Sequence, residues 1–223
     1  MHILEIEILS DNIEQTTKFY SELLGFKILQ SDRNKNSFSI GKSILTFFKS
    51  ENIKPQYHFA FNIPCNKIED AILWTSSKVP LIKMTHDKCI VHFDSWNANA
   101  IYFYDNNGNI LEFIARRDLN NASETNFNLS SIESISEIGI VAENALELAD
   151  QLIHENKLSF FEKGAKSESF CALGDDTGLF VIVNKNRNWY PTDVSAKPFF
   201  TGIYLEINNE KIYLSMNEHH TES

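Results

Sequence analysis

The sequence predicts an α+β protein built from βαβββ modules, with a third such module and a terminal hairpin behind the first two. Three stretches can be laid over one another: "EIEILSDNIEQTTKFYSELLGFKIL" from Glu5, "HFAFNIPCNKIEDAILWTSSKVPLI" from His58, and "EIGIVAENALELADQLIHENKLSFF" from Glu137. Short apolar runs separated by turn residues follow each of them. A long polar stretch, "RRDLNNASETNFNLSSIESIS", separates the second from the third.

Each unit opens on a polar residue and then alternates apolar side chains: Ile6 and Ile8, Phe59 and Phe61, Ile138 and Ile140. That period of two is a strand with one apolar face. A polar turn follows, and then helical spacing takes over. Ile13, Thr17, Tyr20 and Leu24 carry it in the first unit, Ile68, Ile72 and Trp74 in the second, and Leu146, Ala149, Leu152 and Ile153 in the third. Asp11 or Asn12, and Asn66, are N-cap residues by type, and Gly25 is a C-terminal stop.

Strands complete each module. The first unit has "FKIL", "SFSI" and "SILTFF", and the second has "PLIKM", "CIVHF", "AIYFY" and "ILEFI", with "DNNGN" as a strong hairpin turn. The third has "SFF", "SFCAL" and "LFVIV" around "GDDTG". The modules span about 1–50, 57–116 and 135–185. "TGIYLEINNEKIYLSM" is a further hairpin, a truncated fourth module by its length, and "NEHHTES" is a polar tail expected to fray. The expected organisation is a two-module domain over 1–117, a linker over 118–134, a third module with the hairpin over 135–215, and a tail over 216–223.

Composition narrows the function classes. A chain of 223 residues, 43% of them hydrophobic, can bury a sizeable core. A net charge of −10 without basic clusters argues against nucleic acid as a partner. No basic head precedes an apolar stretch, and no apolar run approaches the roughly 18 residues of a membrane span, so a cytoplasmic protein is expected. Cys65, Cys89 and Cys171 are far apart and suit reduced, buried thiols.

Two segments carry a family resemblance. "FYSELLGFKI" (19–28) resembles the Phe-Tyr then Leu-Gly-Phe helix exit of the vicinal oxygen chelate superfamily, and "YFYDNNGNILEF" resembles its Asp-x-x-Gly-Asn-x-x-Glu hairpin. That superfamily includes glyoxalase I, extradiol ring-cleaving dioxygenases, fosfomycin-resistance enzymes and bleomycin-binding proteins. The resemblance covers 1–117 well and 135–207 more loosely. It implies two βαβββ modules paired into an incomplete barrel, with a divalent metal in the cleft held from the first and last strands of each module. Carried over by position, the first module offers Glu5 and Thr46, and the second offers His58 and Glu112. The resemblance therefore implies Glu5, His58 and Glu112 as metal ligands. One histidine and two carboxylates, where ring-cleaving members use two histidines and one carboxylate, favour lyase or isomerase chemistry.

Strand parity supplies an independent reason. If Phe59 and Phe61 pack under the helix, His58 faces the opposite side, and the same parity turns Glu5 and Glu112 to that side. An imidazole with two carboxylates suits Zn²⁺, Mn²⁺, Fe²⁺ or Ni²⁺. The bland reading has His58 and Glu112 hydrogen-bonded to each other and Glu5 on a solvated edge. His92, which alternates with Asp94 along one strand, is a second catalytic candidate beside Glu112, as general base or fourth ligand; a solvent-facing pair is the competing reading. Trp96, Tyr102 and Tyr104 read as core or cross-strand aromatics before a pocket. Glu137 holds the ligand-type position of the third module, yet "GLFVIVNK" matches it with apolar residues only, so no second metal site is expected there. "NKNRNWYP" (184–191) reads as a surface loop.

The functional expectation is a metal-dependent enzyme acting on a small molecule with vicinal oxygens, possessing no nucleic-acid or membrane partner, with the third module completing the architecture or a homodimer interface. The alternative is a metal-free protein that sequesters a small drug or toxin in the same cleft.

Overall fold

The three modules form where the periodicities place them. In this computed structural model, which describes residues 1–85 and 88–217, the first module comprises β1 (His2–Ser10), α1 (Ile13–Thr17) running on as a π-helical turn over Lys18–Leu23, β2 (Lys27–Ser31), β3 (Lys35–Ile40) and β4 (Ser43–Lys49). Asn12 caps α1 by accepting from Gln15 N at 3.0 Å, and Gly25, at φ +94°, supplies the left-handed residue that ends the helical segment.

The second module contains β5 (His58–Ile63), α2 (Ile68–Ser76), β6 (Val91–Phe93), β7 (Ala98–Tyr104) and β8 (Ile110–Arg116). Asn66 does not cap α2; its side chain instead bonds Ser123 in the linker. The "PLIKM" strand reduces to an isolated bridge between Leu81 and Phe103, beside Pro80, which has no N–H to give a ladder. The third module has β9 (Ser134–Ala142), α3 (Ala145–Asn156), β10 (Lys166–Ser167), β11 (Phe170–Asp175) and β12 (Gly178–Asn184), and "SFF" likewise leaves only a bridge from Phe160 to Leu173. β13 (Thr201–Ile207) and β14 (Glu210–Met216) make the terminal hairpin; the rest of the expected tail beyond Asn217 lies outside the described residues.

All strands join one open mixed sheet, with the path β2-β3-β4-β1-β9-β5-β8-β7-β6. The pairing of modules differs from the expected one. β5 lies antiparallel to β9, so the second and third modules combine, while β1 pairs antiparallel with β13, so the first module combines with the hairpin. Every residue of β5 is buried, as a strand with neighbours on both edges and cover on both faces requires. The linker makes the return possible. It passes so close to the β3–β4 turn that a Cβ on Gly41 would lie 2.1 Å from the Glu133 carbonyl oxygen.

The helices cover one side of the sheet, where Ile6, Ile8, Phe59, Phe61, Phe113 and Ile138 form the main core. A second apolar cluster, including Ala60, Tyr102, Ile114, Val181 and Trp189, occupies the other face of the paired second and third modules. This smaller cluster surrounds the site.

Candidate metal centre

Three adjacent strands set out the site in one row. Glu112 on β8 stands opposite Ala60 on β5, and Ala60 stands opposite Glu137 on β9. Residues in register on neighbouring strands share a face, so the small alanine separates two carboxylates that lean toward each other over its methyl. His58, two residues before Ala60, projects from the same face. Donor atoms of His58, Glu112 and Glu137 all lie within 4.8 Å of one another. The three side chains are 6%, 2% and 3% exposed as residues, so water cannot screen their charges.

Hydrogen bonding settles the imidazole's tautomer. His58 Nδ1 is 3.1 Å from the Ile110 carbonyl oxygen, which can only accept, so Nδ1 carries the proton. Nε2 is left with a free lone pair 3.5 Å from Glu112 Oε2. A carbonyl anchoring the remote nitrogen is the usual support of a metal-binding histidine. Burial lowers the His58 pKa to about 4, which keeps the ring neutral at physiological pH.

The two carboxyls are pushed the other way. Burial raises the Glu112 pKa well above the usual carboxylate range, and the Glu137 charge adds to the rise; the Tyr102 hydroxyl and Arg116 oppose it. Burial also raises Glu137, against the Arg116 guanidinium bonded to it. Arg116 is completely buried. Besides Glu137 it reaches Asp176 at 3.4 Å and Ser136 Oγ at 3.3 Å, and the rings of Trp96 and Phe161 lie 5.4 and 5.9 Å from its guanidinium carbon.

This donor set fits a divalent cation. Glu112 Oε1 is buried with no hydrogen-bond partner among the described residues, and an orphaned carboxylate oxygen costs the full desolvation of that atom unless a proton or a cation meets it. A neutral imidazole with an unused lone pair and two carboxylates, all inside 4.8 Å, is a ligand set for a borderline transition metal.

The residues expected from the sequence separate into two groups. His58 and Glu112 come together as expected, and Tyr102 joins them, in register with Glu112 on β7. Glu5 does not. It lies on β1 opposite Tyr204 of the hairpin and accepts a hydrogen bond from Thr46 at 2.6 Å, because the first module pairs with β13 and leaves the second module to β9. His92 is also remote from the cluster: it sits exposed on the short edge strand β6, with Nδ1 2.8 Å from Asn99 Oδ1. The third carboxylate is Glu137. It stands at the ligand-type position of its module and contributes to the same site as His58, while Val181 occupies the matching last-strand position.

The segment after β12 is not a plain surface loop. It folds back on itself through Trp189 N to Val194 O (2.8 Å) and Ala196 N to Arg187 O (2.9 Å), and drives Trp189 into the cleft. The indole is 3% exposed, with its ring centroid 5.5 Å from that of His58. Gly139 makes room for it: a Cβ there would meet Trp189 Cη2 at 2.5 Å. The signal for this was present in an apolar indole inside an otherwise polar loop.

No family model and no curated protein matches the sequence. Among solved structures, one described as a "putative dioxygenase" from Bacillus subtilis matches 97% of this chain and 85% of its own at 16% identity, with a TM-score of 0.61. An integron cassette protein from the metagenome of the Halifax Harbour sewage outfall is 27% identical over 51% of this chain and 97% of its own (TM-score 0.43). The fosfomycin resistance protein FosX of Listeria monocytogenes, complexed with Mn(II) and sulfate, is 18% identical over 52% of this chain and 88% of its own (TM-score 0.40). The full-length match, the βαβββ modules and the mixed open sheet agree: the chain has the fold of the vicinal oxygen chelate superfamily.

Proposed function

We propose that the protein is a divalent-metal-dependent enzyme acting on a small molecule that offers two adjacent oxygens, with His58, Glu112 and Glu137 as the metal's protein ligands. The observation that carries this reading is the buried triad itself, in which a neutral, carbonyl-anchored histidine faces an orphaned carboxylate oxygen.

When bound there, a divalent cation supplies Lewis acidity toward a substrate oxygen. The chain's own groups do the rest. His58 presents Nε2, and the Ile110 carbonyl prevents the ring from turning. Glu112 is the acid–base group by environment, since burial favours its protonated form and ligation favours the ionised one. Trp189 and Tyr102 wall the site with rings and exclude water from it. With one imidazole and two carboxylates, lyase or isomerase chemistry is favoured over ring cleavage.

Elemental analysis of protein purified without chelator or a polyhistidine tag tests the reading, beside His58→Ala and Glu137→Gln variants prepared identically. Near-stoichiometric Mn, Fe, Zn or Ni in the wild type and its loss in both variants is expected. Equal trace metal in all three, also after dialysis against each cation, refutes it and leaves a protein that binds its ligand without metal.

A further inference from the structure

A buried positive charge stands beside the triad. Arg116 follows Glu112 by four residues on β8, so parity puts both on one face of the sheet, and it is fully buried with its Nη2 donating to Glu137. Its other acidic partner, Asp176, lies 3.4 Å away and is held more closely by Lys163 at 2.5 Å; Lys163 also meets Asp118 at 2.6 Å, a carboxylate exposed enough for water to screen it. The guanidinium's net effect therefore falls on the triad. A surface arginine would be screened, whereas this one is enclosed by Trp96 and Phe161.

We propose, building on the metal reading above, that Arg116 is the built-in counter-cation of the site: it competes with the metal for Glu137 and, once the metal is bound, sets the charge that selects a monoanionic ligand. His58 is neutral, Glu112 and Glu137 each contribute one negative charge when ligating, Arg116 contributes one positive charge, and the cation contributes two. The loaded site carries one positive charge in apolar surroundings, which a single negative charge on the incoming molecule cancels. The chemical class is a monoanion presenting two oxygens, such as an α-hydroxy carboxylate. Without Arg116 the loaded site would be neutral, would hold its cation more firmly and would have no charge preference for an anion.

The two halves of this proposal respond with opposite signs to loss of the guanidinium, which a purely structural role would not produce. The test uses the full chain loaded with Co²⁺, with metal affinity read by calorimetry and glycolate binding read from the cobalt visible spectrum. In Arg116→Gln, Co²⁺ is expected to bind at least tenfold more tightly and glycolate at least tenfold more weakly than in the wild type. In Arg116→Lys, which keeps the charge, both are expected within about threefold of wild type. A fall in both affinities, or no change in either, in Arg116→Gln overturns the proposal. Should that variant fail to fold, a tenfold loss of glycolate in a folded Arg116→Lys overturns it, because charge would not be the determinant. Wild-type protein that binds Co²⁺ no better than His58→Ala refutes the metal reading itself, an outcome distinct from either result at Arg116.

Discussion

Replacing Glu112 by glutamine is expected to make the metal-free protein more stable and the metal-loaded protein impossible to form. Glutamine has the shape of the protonated acid, and its amide can donate to His58 Nε2, the lone pair that faces Glu112 Oε2 at 3.5 Å. The size of the effect follows from linkage. Burial raises the folded-state pKa of Glu112 above that of the unfolded chain, so above the unfolded value the native state binds the extra proton and stability falls as pH rises. The slope is about 1.4 kcal/mol per pH unit for one proton, until the folded carboxyl itself ionises. Glutamine has no such slope, so the gap between variant and wild type widens with pH at about that rate until the folded carboxyl ionises. Glu137 is relieved in the variant of the repulsion it shares with Glu112, which widens the gap in the same direction. Urea denaturation in EDTA, repeated from pH 4 to 7, reads the gap. Adding Mn²⁺ at one hundred times its dissociation constant should return about 2.7 kcal/mol to the wild type and almost nothing to the variant. Parallel pH profiles, or equal stabilisation of both proteins by Mn²⁺, would refute the reasoning.

Further substitutions probe the row and its surroundings. Ala60→Val places two methyls between Glu112 and Glu137, where only one now fits; a loss of about 1 to 3 kcal/mol from overpacking and loss of metal uptake are expected, and full metal stoichiometry would count against the row as the site. In Gly139→Ala the new Cβ falls 2.5 Å from Trp189 and 3.1 Å from the His58 carbonyl oxygen, so the indole must leave the cleft; red-shifted tryptophan emission is expected, and an unchanged spectrum contradicts the packing. Glu5→Gln and His92→Ala should leave metal content intact and change stability by no more than about 1 kcal/mol, since the first loses one hydrogen bond from Thr46 and the second is exposed. Metal loss in Glu5→Gln would restore the ligand set expected from sequence.

The modules were legible because their signals are local. Alternation at Phe59 and Phe61, the cap at Asn12 and the stop at Gly25 depend on a few neighbouring residues, and each appears where the sequence places it. Which modules pair is a non-local matter, and there a count of donors is degenerate. Pairing the first module with the second brings Glu5, His58 and Glu112 together; pairing the second with the third brings His58, Glu112 and Glu137 together. Both give one imidazole and two carboxylates. Arg116 breaks the tie. A guanidinium on the same strand face as Glu112 enters the interior only with a buried acid to meet it, and Glu137 is positioned to do so. The hairpin adds a second reason, since β13 occupies the edge of β1 that a partner module would have needed.

The other half of the sheet shows why residue type and position alone do not make a site. Glu5 occupies the position that His58 and Glu137 hold in their modules, and Thr46 occupies that of Glu112. Yet among the described residues the hairpin offers two strands and no helix to close over them. Glu5 and Glu7 stay partly exposed, met by Thr46 at 2.6 Å and by the Tyr213 hydroxyl at 3.2 Å, so solvent and single hydroxyls suffice for their charges. Around His58 the same architecture is complete: β7 and β12 flank the row, and Trp189 folds over it. Burial raises the Glu112 pKa against the Tyr102 hydroxyl and Arg116, and its Oε1 meets no hydrogen-bond partner among the described residues. The buried charge at Glu112 therefore comes from enclosure, which the third module provides around His58 and the described hairpin does not provide around Glu5.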